Sequence, residues 1–128
     1  EKGCETFSPR LKERTKIALQ LADQYKDNED IFLKKLYDVV GSGVGIIESV
    51  PAAIAVAYYA QDPNRSCLMC ANLGGDTDTI GAMATAICGA FTGLKKIKPE
   101  YITTLEKQNE IDFDQYIDIL MKGRDILK

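Results

Sequence analysis

Asn72-Leu73-Gly74-Gly75-Asp76-Thr77-Asp78-Thr79-Ile80-Gly81 is the stretch on which the reading of this chain turns. A Gly-Gly pair permits a sharp backbone turn. Two carboxylates and two hydroxyls follow within four residues, Asp76 to Thr79, and then an apolar run begins. The run predicts a helix from about Asp78 to Phe91, with the acidic pair at its start. Free N–H groups and the helix dipole favour anions there. Asp and Thr oxygens are hard ligands suited to Mg²⁺, Mn²⁺ or Ca²⁺. The nearest basic residues in sequence are Arg65 and Lys95, so a metal ion is a natural counter-charge. The competing reading is an ordinary helix cap, a common role for Asp and Thr. The residues alone leave both readings standing. A calcium-binding EF-hand is excluded. With Asp76 as its first position, Asp78 and Gly81 fall correctly, but the twelfth is Ile87 where a bidentate Glu is needed.

Within the predicted helix, Gly81, Thr85 and Gly89, continued by Gly93, recur every four residues. This spacing lines small residues along one face and predicts close approach by another helix. Upstream, a helix carrying Cys67, Leu68, Met69 and Ala71 is expected to stop near Gly74-Gly75. Asp62-Pro63-Asn64 reads as a turn. Ser49 is expected to cap a helix with Pro51 in its first turn, running through Ala52, Ile54, Val56 and Tyr58. Gly41-Ser42-Gly43-Val44-Gly45 reads as a glycine-rich loop. Its bland reading is a plain helix connection. Asn28 and Asp30 are candidate caps for a helix through Ile31, Leu33, Leu36, Tyr37 and Val40. Ser8-Pro9 marks the start of a first helix, with apolar positions Leu11, Ile17, Ala18, Leu21, Ala22 and Tyr25. Toward the end, Lys98-Pro99 opens a short helix to Leu105, and Phe113 to Leu127 has helical spacing. No alternating strand, repeat or low-complexity tract is present. The predicted fold class is all-α.

The chain has 128 residues, a length for one domain, and a formal net charge of −3. That balance points to neither nucleic acid nor an anionic membrane as partner. Val44 to Ala60 is interrupted by Glu48 and Pro51 and falls short of the roughly 20 apolar residues of a span. The segment from Glu1 to Glu5 lacks the apolar run of a signal peptide. There is no histidine, so any metal must be held by oxygen or sulfur. Of the cysteines, Cys67 and Cys70 form a C-x-x-C pair, while Cys4 and Cys88 have no zinc-site spacing. The pair reads as two thiols packed in a reduced core, consistent with the cytoplasm. Asp27-Asn28-Glu29-Asp30 reads as solvated surface.

The run Gly74 to Ile80, followed by the small-residue helix Ala84 to Gly93, resembles the ADP-ribosylglycohydrolase family. The upstream motifs Gly41-Ser42-Gly43-Val44 and Glu48-Ser49-Val50-Pro51-Ala52-Ala53-Ile54 resemble it too, in matching order. The resemblance covers residues 41–93 firmly and the flanks loosely. It implies a multi-helix, all-α bundle with a two-metal centre, usually Mg²⁺ and in some members Mn²⁺. Carried onto this chain, the metal motif points to Asp76, Asp78 and Thr79. The family's remaining ligands come from an N-terminal Thr-Asp-Asp motif, and in some members an acidic catalytic residue lies in that half as well. Nothing here matches either. Residues 1–128 are therefore expected to be the C-terminal part of such a domain, with the N-terminal half of the same protein as partner. The implied activity is hydrolysis of the glycosidic bond between ADP-ribose and a side chain or small acceptor. Substrate contacts are expected at Ser42, Gly43, Val44 and Gly75, with loop N–H groups toward the phosphates or ribose. Glu48 is expected to brace locally. Two alternatives are a non-catalytic structural member of the same fold and a helical interaction domain.

Overall fold

The computed structural model describes residues 9–126. The described residues form seven α-helices and no strand, in agreement with the all-α expectation. They are α1 (Pro9–Gln24), α2 (Glu29–Lys35), α3 (Ile46–Ala60), α4 (Pro63–Leu73), α5 (Thr77–Thr92), α6 (Pro99–Asn109) and α7 (Phe113–Ile126). The predicted cap at Ser8 lies outside the described residues. None of these helices is long and apolar enough to cross a membrane.

The described residues fall into two compact units, 9–96 and 97–126. In the first, α3 is the central helix, packed against α1, α4 and α5. Its Ala52, Ala53, Ala55, Val56, Ala57 and Ala60 are all buried. Small side chains nearly all round the helix let three neighbours come close. Phe32 from α2, Leu36 just after it, Met69 from α4 and Ile80 from α5 complete the core, each with no exposed surface. Burying such a side chain contributes about 1.5–3 kcal/mol. The α1–α2 connection is pinned by Tyr59, whose ring stacks on Phe32 at 4.4 Å and whose hydroxyl donates to the Lys26 carbonyl at 3.0 Å. In the second unit, Glu106 joins α6 to α7, accepting from the Ile111 and Phe113 N–H groups at 3.2 and 3.3 Å.

Three sequence expectations change. The third helix starts at Ile46 with Gly45 at its cap, a turn before Ser49. Ser49 is inside the helix and its hydroxyl donates to the Gly45 carbonyl at 3.2 Å. Pro51 therefore sits in the second turn, where its missing N–H leaves the Ile47 carbonyl without a helical donor. Arg14 from α1 reaches that carbonyl at 3.5 Å, a weak bond, and donates to the Val40 carbonyl at 2.8 Å.

The second change concerns the small-residue face of α5. The residues it buries are Ile80, Ala84 and Cys88. Gly81 does make a close approach, since a Cβ there would lie 3.4 Å from the Cβ of Cys70. Beside Gly89 and Gly93 nothing lies within 4 Å of that position. Gly89→Leu in this chain is thus expected to leave the melting temperature unchanged or slightly raised, because Gly costs a helix about 0.8–1.0 kcal/mol relative to Ala. Thermal unfolding followed by circular dichroism checks it. A marked drop would show Gly89 to be packed.

The third change concerns the thiols and the acidic run. Cys70 and Cys88 are buried, but Cys67 is exposed, and all three are free; Cys4 lies outside the described residues. Burial, with smaller effects of Cys67 and Cys88, pushes the Cys70 thiol up to about 12, so it stays protonated. Asn28 caps α2 by accepting from the Ile31 N–H at 3.0 Å. Glu29 pairs with Arg65 at 2.8 Å, so the Asp27–Asp30 run is tied down in part.

Candidate metal and ligand site

The Gly41 loop and the Gly74–Asp78 segment, distant in sequence, lie side by side. Helix α2 ends in a π-helical turn, Leu36–Val40, closed by Gly41 at φ 91°. Helix α4 ends at Leu73, and Gly74 and Gly75 follow at φ 85° and 77°. L-residues other than glycine resist such angles. Space adds a second demand at Gly75. A Cβ there would collide with the carbonyl oxygen and hydroxyl of Ser42. With the two backbones this close, the Asp76 N–H donates to the Ser42 carbonyl at 2.7 Å.

Asp76 occupies the cap position of α5, and its carbonyl accepts from the Ile80 N–H at 3.1 Å. Its side chain makes no capping hydrogen bond to the backbone of α5. Asp78 follows in the first turn. Its carboxyl is held below the usual carboxylate range, chiefly by a hydrogen bond with the Asp76 side chain and then by the backbone N–H groups of Thr79 and Asp78. Asp78 and Thr79 are exposed and Asp76 is half-buried. Among the described residues, no cluster of three or more His, Cys, Asp or Glu side chains is disposed to hold a metal ion. Asp76, Asp78 and Thr79 offer oxygen donors of the type a hard cation takes.

The expected ligand-contact residues divide by exposure. Ser42 is 3% exposed, and among the described residues its hydroxyl has no hydrogen-bond partner. Val44 is 84% exposed. The Gly43 N–H is already engaged, donating to the Glu48 carboxylate at 2.9 Å. Glu48 also faces Arg14 at 3.4 Å, so it braces the loop from within, in the role expected of it. Arg14 carries no sequence signal for this task. Its acceptors are backbone carbonyls 26 and 33 residues away. On the far side of Gly74, a cleft of about 560 Å³ is lined by Asp30, Tyr37, Asn72, Gly74 and Gly75. The Tyr37 ring lies 3.4 Å from where a Gly74 Cβ would stand, so Gly74 is confined as well.

The sequence is similar to those of known proteins. Residues 3–125 match the family model described as ADP-ribosylglycohydrolase. The chain belongs to the ADP-ribosylglycohydrolase family. It is 50% identical over 125 residues to the uncharacterized protein YegU of Escherichia coli (strain K12), a match covering 97% of this chain and 37% of that protein. It is 34% identical over 115 residues to the ADP-ribosylhydrolase ARH3 of Gallus gallus, covering 81% of this chain and 29% of the relative. It is 34% identical over 65 residues to the ADP-ribosyl-[dinitrogen reductase] glycohydrolase of Rhodospirillum rubrum, covering 50% of this chain and 22% of the relative. The chain thus spans between about a fifth and two fifths of the length of these relatives. No solved structure matches it.

Proposed function

We propose that this chain is the C-terminal part of an enzyme that hydrolyses the N- or O-glycosidic bond at C1″ of ADP-ribose, freeing it from a protein side chain or small acceptor. Asp76 and Asp78 serve as anionic ligands of a two-metal centre, Mg²⁺ or Mn²⁺, and Thr79 as a neutral oxygen ligand. Bound there, the cations supply Lewis-acid orientation of the ribose hydroxyls and of the attacking water. Gly43, Val44 and Gly75, with Ser42 buried beside them, form the adjoining wall for ADP-ribose. The protruding Val44 is an apolar contact for it, while the unpartnered Ser42 hydroxyl lies buried against Gly75. The N-terminal half of the same protein supplies the remaining ligands and the acidic catalytic residue.

The observation that carries this reading is the Asp76–Ser42 backbone bond at 2.7 Å. It joins an uncapped acidic pair at a helix start to a glycine-rich loop with an unsatisfied hydroxyl. Family membership supports reading the pair as part of a glycohydrolase site.

The reading also predicts that residues 1–128 alone are catalytically inert. Mg²⁺ takes about six oxygen ligands per ion, and three side chains cannot complete two such shells. The experiment is an assay of ADP-ribose release with Mg²⁺ or Mn²⁺, by this chain alone and by a polypeptide restored to its relatives' length. The expected result is turnover only by the restored protein. Robust turnover by the chain alone would overturn the half-site, and an inert restored protein would indicate a non-catalytic member of the family.

A further inference from the structure

Helix α5 carries no charged residue after Asp78, yet much of its surface faces outward. A helix that is apolar on all sides is ordinarily a buried one. Here Ile87 is 46% and Phe91 79% exposed. Beside them an apolar groove of about 400 Å³ runs between α1, α3 and α5, lined by Leu19, Ile54, Tyr58, Ile87 and Phe91 among eight residues. Contiguous exposed apolar surface of this kind marks a contact site.

We infer that this groove is the seat of a helix from the part of the polypeptide that the relatives carry beyond the region matched here. Three observations select that occupant. First, the chain matches over 97% of its own length a relative of which it makes up only 37%, so most of that protein's chain is available to cover it. Second, a stable dimer of separate chains engages roughly 20–30 residues a side, far more than the eight that line this groove. A helix tethered in the same chain docks on a smaller surface, because its effective concentration is already high. Third, Ile87 and Phe91, one turn apart on the same face of α5, form a ridge into whose flanks a helix can pack.

The inference rests on family membership and not on hydrolysis, so it stands or falls apart from the proposed activity. The test compares thiol labelling in two proteins. Phe91→Cys and, separately, Ile87→Cys are made in this chain, and cysteine is placed at the equivalent positions of the full-length Escherichia coli relative. Labelling is followed by peptide mass spectrometry. Both sites should label rapidly in this chain and at least about 100-fold more slowly in the full-length protein, where access requires local opening. The second position keeps the test valid if either variant of the full-length protein fails to fold. Equal labelling in both contexts would overturn the proposal. So would protection that appears in this chain with rising concentration, since the occupant would then be a second copy.

Discussion

Asp76→Ala or Asp78→Ala is expected to abolish ADP-ribose release by the complete protein while leaving its helical content intact. The two halves of this expectation have separate physical grounds. Asp76 stands at the cap of α5 but makes no side-chain capping bond, so its removal deprives the helix of little. Asp78 is exposed and its carboxyl is engaged locally, with Asp76 and with backbone N–H groups. Neither side chain holds the core, which at this helix is built from Ile80, Ala84 and Cys88. Loss of an anionic ligand, by contrast, removes transition-state charge stabilisation worth several kcal/mol. At about 1.36 kcal/mol per tenfold in rate, that is a fall of roughly 10²–10³-fold or more. Initial rates at saturating Mg²⁺ or Mn²⁺, with far-ultraviolet circular dichroism beside them, make the measurement. Near-wild-type turnover by the double variant would end the ligand assignment.

Gly75→Ala is expected to be the most disruptive single methyl group in the molecule. Two penalties coincide. The backbone sits at φ 77°, where a side chain costs about 1–3 kcal/mol. The added carbon would also collide with the Ser42 carbonyl oxygen, which is backbone and cannot swing aside. Overpacking of that kind costs about a further 1–3 kcal/mol. The loops must separate to relieve it, which breaks the Asp76–Ser42 bond and uncouples the acidic pair from the glycine loop. Thermal melts should show a lower transition, and the complete protein should lose activity even with all its ligands present. Gly45→Ala is the internal control: a Cβ there meets nothing within 4 Å, and its φ is ordinary. Equal stability of the two variants would refute the tight contact at Gly75.

Much of the local structure was readable from the chain because its causes are local. The Asn28 cap, the stop at Gly41 and the Gly-Gly break before α5 each follow from a residue's own backbone preferences, whereas Asp62-Pro63-Asn64, read as a turn, is the cap and first residues of α4. The start of α3 was less readable. Ser49 and Pro51 make a good helix opening by local rules, but Arg14 tends the carbonyl that Pro51 leaves free, and the helix begins a turn earlier. The signal lies on another helix, out of reach of any local pattern.

The sequence by itself determined that this is an all-helical chain, that Asp76 and Asp78 stand at a helix mouth with hard-ligand chemistry, and that a glycine-rich loop precedes α3. Periodicity, capping and glycine conformational freedom act over a few residues, and a sequence displays them directly. Only the tertiary structure decided which loop meets which and which helix face is buried. It brought Ser42 against Gly75 and Asp76, gave the Gly43 N–H to Glu48, and turned Ile80, Ala84 and Cys88 inward while Gly89 and Phe91 face out. Those outcomes depend on how whole helices seat on α3. A periodic pattern shows that a helix has an apolar face, but α5 is apolar on every side, and only the packing of its neighbours selects the side that is buried.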